Sequence, residues 1–203
     1  DPALPRSAVD DGLADVAGYT TAPINVSVDG PPEPSIQGQL VSGGYFPLLG
    51  VSPAIGRALG PDDDRVPNGH PVAMLSHGYW ERRFGSDPSV VGRTIRLSDM
   101  PFTIIGVTPA EFFGVEIGTA PDVFLPLMMQ PTVMPSFENL LDKPSVNRSW
   151  VQAIARTKPG VTPEQAAAAM NAAQQSQQDL QGRAPQSPPA RLVLTPTAAV
   201  SSL

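Results

Sequence analysis

Ser76 and His77 stand side by side, with a second histidine, His70, upstream and Arg82-Arg83 downstream. Those residue types suggest two chemistries. A serine deprotonated by a histidine is the core of acyl-transfer catalysis, and two histidines are half of a common zinc site. Neither pattern is complete. A nucleophile elbow needs Gly-x-Ser-x-Gly, and position 74 is Met74. No third ligand at a sensible spacing accompanies His70 and His77.

Two other stretches fail the same test. Gly43-Gly44 would suit a phosphate cradle, but a phosphate loop also requires its Gly-Lys end, which is absent. Asp62-Asp63-Asp64 suggests calcium, whose loops place oxygen ligands at alternate positions; the next such position is Val66. The run therefore reads as a solvated acidic loop, with Asp62 starting a turn. No residue is assigned as catalytic, cofactor-binding or metal-ligating, and no cofactor is expected.

The elements around these residues explain them more simply. Val72 to Leu75 is a short apolar run that reads as a buried strand. Ser76 then sits where a helix N-cap belongs, with Trp80 and Phe84 on the core face and Gly85 as the stop. Asp87-Pro88-Ser89 reads as a turn. Thr94–Ser98 and Phe102–Val107 alternate as strands and form a hairpin through 99–101. Upstream, Val9, Leu13 and Val16 predict a short helix over 8–19. Thr20–Val28 and Ile36–Val41 predict a second hairpin, followed by a one-turn helix after Gly44 that ends at Gly50.

Asp122–Leu127 is a further strand, ended by proline, and Trp150–Arg156 another. Thr162-Pro163-Glu164-Gln165 combines an N-cap threonine, proline at the first helical position and glutamine at the third. That helix should run to about Leu180, with a poor apolar face of alanines, and Leu192–Leu194 reads as a last strand.

Bulk composition narrows the function class. Apolar residues make up 41% and charged residues 16% of the 203, which fits a folded chain rather than a disordered one. The 13 Lys+Arg against 19 Asp+Glu leave a net charge of −6 with no basic stripe, so nucleic acid is not an expected partner. The 25 prolines gather in connectors, and the absence of cysteine excludes disulfides and thiol chemistry. No run reaches the ~18–20 apolar residues of a membrane helix. The start without methionine reads as an excised piece, from which flanking membrane segments could have been removed.

Four blocks occur in a specific order. They are Val41-Ser42-Gly43-Gly44-Tyr45-Phe46 with Leu49-Gly50-Val51-x-Pro53-x-x-Gly56-Arg57; Val72–Trp80 with Arg83-Phe84-Gly85-x-Asp87-Pro88-x-Val90-Val91-Gly92-Arg93; Phe102–Val107 with Pro109; and Asp122–Leu127. Together they closely resemble the MacB-type periplasmic core domain of ABC transporter permeases, over nearly the whole chain. The resemblance implies an α+β fold in two subdomains. A porter-like α/β sandwich is made by both chain ends (1–57 plus 146–203), and a mostly β subdomain (58–145) is inserted between them.

It also implies a non-catalytic domain on the periplasmic, extracytoplasmic face of the bacterial inner membrane, anchored by transmembrane helices outside this sequence. Its partners would be those helices, a cytoplasmic ATPase domain or subunit, a second permease copy and, as an open question, a periplasmic adaptor. Two readings compete with it. One is a secreted ligand-binding module using the cleft between subdomains, and the other is a hydrolase at Ser76 and His77.

Overall fold

The computed structural model describes residues 13–27, 33–116, 118–135, 139–141 and 150–169. In chain order these form β1 (Leu13–Ser27), β2 (Glu33–Val41), α1 (Tyr45–Leu49), β3 (Ile55–Gly56), β4 (Val72–Leu75), α2 (His77–Phe84), β5 (Thr94–Leu97), β6 (Met100–Val107), β7 (Val123–Pro126), α3 (Gln130–Val133) and β8 (Gln152–Thr157). A last helical stretch occupies 163–169. The chain is α+β, as expected, with one large mixed sheet and few helices.

The chain divides into two compact units: residues 1–16 with 154–203, and residues 17–153. Within the larger unit the sheet closes on itself. β1 pairs antiparallel with β2, β2 parallel with β7, β7 antiparallel with β4, and β4 parallel with β6. β6 then pairs antiparallel with β5, and β5 returns to β1 at Val26↔Leu97 and Ser27↔Arg96. A closed ring leaves none of its members as an open edge. The expected division placed 17–57 with the chain ends; here β1 and β2 share the ring with β4 to β7.

One face of every ring strand supplies a common core. Ile24, Val26, Leu40, Leu75, Ile95, Leu97, Phe102, Ile104, Val123 and Leu125 are all buried in it. Period-2 alternation puts these residues on the same side of each pleat. β7 is buried at every position, which suits a strand covered on both faces. On its other face Phe124 meets Tyr45, Phe46 and Phe112, with ring centroids 5.3 to 6.4 Å apart. β3 adds to β6 at Gly56↔Gly106. A Cβ at Gly106 would lie 2.3 Å from the Arg57 carbonyl, so only glycine lets these backbones meet.

Most expected elements stand where the residues placed them. Both hairpins are present, and the β5–β6 turn runs through Ser98 and Asp99 at φ 47° and 67°, as a two-residue hairpin turn requires. The smaller unit holds a local apolar cluster of Leu13 and Ala166 with Val16, Ala155 and Val161. The capped helix at 162–165 is formed as written. Gln165 N–H donates to Thr162 Oγ1 (3.3 Å) and Thr162 N–H donates to Gln165 Oε1 (2.9 Å). Its predicted extension to Leu180 and the strand at Leu192–Leu194 lie outside the described residues.

Two expectations are corrected. The predicted helix over 8–19 is strand from Leu13 onward, because the Leu13/Val16 spacing that suggested a helix belongs to a strand pairing with β2 and neighbouring β8. The acidic loop is not a solvated run: Asp62 is exposed, but Asp63 is buried at 7% and Asp64 is half-buried.

Candidate functional site

The serine–histidine corner is structural. Ser76 caps α2 by accepting the Tyr79 N–H on Oγ (3.2 Å), and its own N–H donates to the Asp122 carbonyl (2.9 Å). The hydroxyl is thus occupied at the helix start, where it satisfies a backbone N–H that the helix leaves open. His77 turns along the helix instead. Its Nδ1 lies 3.7 Å from Glu81, one turn on, and its ring meets Trp80 edge-on at 5.4 Å. Gly85 closes α2 in the left-handed region at φ 59°. Trp80 is buried, Phe84 packs against the core, and Arg83 and Arg93 both lie over the Phe84 ring. His70 is close enough to Asp63 for its charge to act on that carboxyl, so the two histidines serve different neighbours. Among the described residues, no three His, Asp or Glu gather as a metal-binding group.

The acidic turn is a tie between distant segments. Pro61–Asp64 forms a single 3₁₀ turn in which the Asp63 and Asp64 carboxylates turn inward while Asp62 stays exposed beside Arg65. Asp63 receives Arg57 in a two-pronged pair (2.7 and 2.8 Å) and accepts the Gly60 N–H (3.0 Å). Asp64 accepts Met128 N–H (2.8 Å) and Gly43 N–H (3.2 Å), joining the β2–α1 corner to the chain just after β7. The neighbours titrate in opposite directions. Burial pushes the Asp64 carboxyl up against the pull of its backbone donors. Burial works the same way on Asp63, but the Arg57 hydrogen bonds, the Gly60 N–H and nearby positive charge together outweigh it and hold its carboxyl below the usual range.

A third cluster has no precursor in the sequence reading. Tyr45 donates to Gln39 Oε1 (2.9 Å), Gln39 Nε2 donates to Thr21 Oγ1 (3.2 Å), and Thr21 donates to Glu116 Oε2 (2.8 Å). From the other side, Tyr19 donates to Gln152 Oε1 (2.7 Å) and Gln152 Nε2 donates to Glu116 Oε1 (3.0 Å). Both arms therefore direct their protons to one carboxylate. Gln39 and Tyr45 are fully buried, whereas Gln152 is exposed, so the chain runs from core to surface.

Burial, followed by the charge of Glu116, raises Tyr19. Burial, then Tyr19 and Glu116, raises Tyr45 further, which keeps both phenols protonated as donors. Gln39 faces Thr21 across the β1–β2 ladder, which is how the amide reaches its partner. Nothing in the local pattern of Ser35–Val41 marks it: a lone glutamine in a strand most often points to water.

These three sites hold side chains in place; none presents a nucleophile beside a free base. Among the described residues, no helix is long and apolar enough to cross a membrane. No curated protein sequence matches the chain. The family model of the MacB-like periplasmic core domain matches residues 2–173. The fold is similar to the periplasmic region of MacB from Actinobacillus actinomycetemcomitans (16% identity, TM-score 0.58, covering 89% of this chain and 75% of that one). It is also similar to the extracellular domain of the ABC-type transporter YknZ from Gram-positive bacteria (16%, 0.58, 85% and 84%). A domain of a permease protein from Porphyromonas gingivalis aligns as well (18%, 0.61, 89% and 72%).

Proposed function

The chain belongs to the MacB-like periplasmic core domain family, and from that premise we propose that it is the extracytoplasmic domain of an ABC transporter permease, doing no chemistry of its own. The match over 2–173 carries this reading, and the structural role of Ser76, His77, Asp63 and Asp64 supports it. ATP binding and hydrolysis would occur in a cytoplasmic ATPase domain or subunit. The permease helices would move in response, and the two ends of this chain would pass that movement on to export or to partner docking. Such transmission needs two arrangements separated by a few kcal/mol.

A second permease copy and a periplasmic adaptor are the partners this reading calls for. The two-subdomain division with both chain ends in one lobe belongs to the same proposal. The test is deletion of residues 13–169 from the full-length permease, reconstituted with its ATPase. We expect nucleotide hydrolysis to persist while export, measured over a chemically diverse panel of test compounds, is lost. Unchanged export after deletion would overturn the reading.

A further inference from the structure

Both chain connections between the units run along strands: β1 passes from one to the other at 16/17 and β8 at 153/154. Immediately inside the larger unit the two strands lie against each other. A Cβ on Gly18 would sit 2.8 Å from Val151 Cγ1, so glycine is what allows this approach. The side chains that bind the two strands there are Tyr19 and Thr21 from β1 and Gln152 from β8. Thr21 and Gln152 converge on Glu116, and Tyr19 reaches it through Gln152.

Segment 109–116 that carries Glu116 is itself anchored to the core. Phe112 is buried in the aromatic cluster with Phe46 and Phe124, and the Val115 backbone hydrogen-bonds Tyr45. We propose that Glu116 is the latch of a joint that clamps the larger-unit ends of β1 and β8 together, so that displacement of either strand is delivered to the closed ring as one movement.

The direction of the hydrogen bonds gives Glu116 this role rather than any of its partners. Thr21 and Gln152 both donate to it, and each has its own acceptor already used by a donor further back: Gln39 for Thr21, Tyr19 for Gln152. Remove the carboxylate and two donors lose their acceptor at once, with no spare acceptor in either arm. Removing Tyr19's hydroxyl, by contrast, frees only one link. Hydrogen bonds to an ionised acceptor are also about twice as strong as neutral ones.

The joint's importance for transport rests on the proposed function, but its existence is testable without it, by amide hydrogen exchange of the 203-residue chain. Glu116→Ala is expected to speed exchange in peptides covering 150–157 and 18–21 by at least tenfold, while β4 and β6 keep wild-type protection. Glu116→Gln retains one acceptor and should fall between. Glu111→Ala, an exposed carboxylate on the same segment, should change nothing.

The chain lacks cysteine, so Gly18→Cys with Val151→Cys creates a single candidate disulfide. In the Glu116→Ala background, oxidising it should restore protection. Unchanged exchange at 150–157 in Glu116→Ala, an acceleration spread equally over β4 and β6, or no rescue by the disulfide would each overturn the latch. None of these outcomes bears on whether the domain serves a transporter.

Discussion

Two corners of the larger unit both lead the chain into a helical turn, and both use a short polar side chain to do it. At Ser76 the donor satisfied is three residues away, and the strand behind it is short and apolar. At Asp63 and Asp64 the near partners are few. Arg57 and Gly60 hold Asp63, but Asp64 reaches back to Gly43 and forward to Met128. The first corner is a local cap, and the second is a long-range tie.

The difference teaches where stability is concentrated. The cap lost from Ser76 leaves one N–H of its own helix unsatisfied, whereas the carboxylate lost from Asp64 strands two donors in separate segments.

The largest expected effect therefore falls on the tie. Asp64→Ala leaves the Gly43 and Met128 N–H groups without their acceptor, and should lower stability by about 3 kcal/mol at about 1–3 kcal/mol per buried unsatisfied group. Urea denaturation of the purified chain measures this. A loss below that of Ser76→Ala would erase the contrast between the corners.

The pH dependence sharpens it. Asp63 has a folded carboxyl below its unfolded value, so its contribution is present above the unfolded value and disappears as pH falls through the folded one. Asp64 lies above its unfolded value, so it favours the folded state most when protonated and costs stability as pH rises through the folded value. Denaturation across the acid range should show Asp63→Asn flattening the acid loss, and Asp64→Asn steepening it. Equal slopes for the two variants would contradict the opposite environments.

The caps come last. Ser76→Ala should cost about 1 kcal/mol, and Thr162→Ala, whose cap is exposed, nearer ~0.5 kcal/mol. Differential scanning calorimetry separates the first from the wild type. Amide exchange over 163–169 is the better readout of the second.

How much of this was legible follows the same line. Ser76, Gly85, the β5–β6 hairpin and the Thr162–Gln165 box were readable because each pairs residues within a few positions, where backbone geometry leaves few alternatives. The four blocks of glycines, prolines and aromatics carried the family, and Gly106 shows why: it marks a place where two backbones touch. The 8–19 segment misled because Val9, Leu13 and Val16 fit a helical period by chance of spacing, and only pairing with strands distant in sequence, β2 from Tyr19 on and β8, makes Leu13 onward a strand. Glu116, Gln39 and Gln152 gave no local sign of their joint role, since their partners lie up to 133 residues away.

The order of residues alone settled most of the strands, turns and caps, though not the start of β1, together with the family and the lack of a conventional catalytic motif, because those rest on short-range geometry and on side-chain type. Closure of the ring by β5 against β1, the inward turn of Asp63 and Asp64, and the convergence of two strands on Glu116 were decided only by the folded chain. Burial and long-range hydrogen bonding depend on which surfaces meet, and that is a property of the whole packing rather than of any stretch within it.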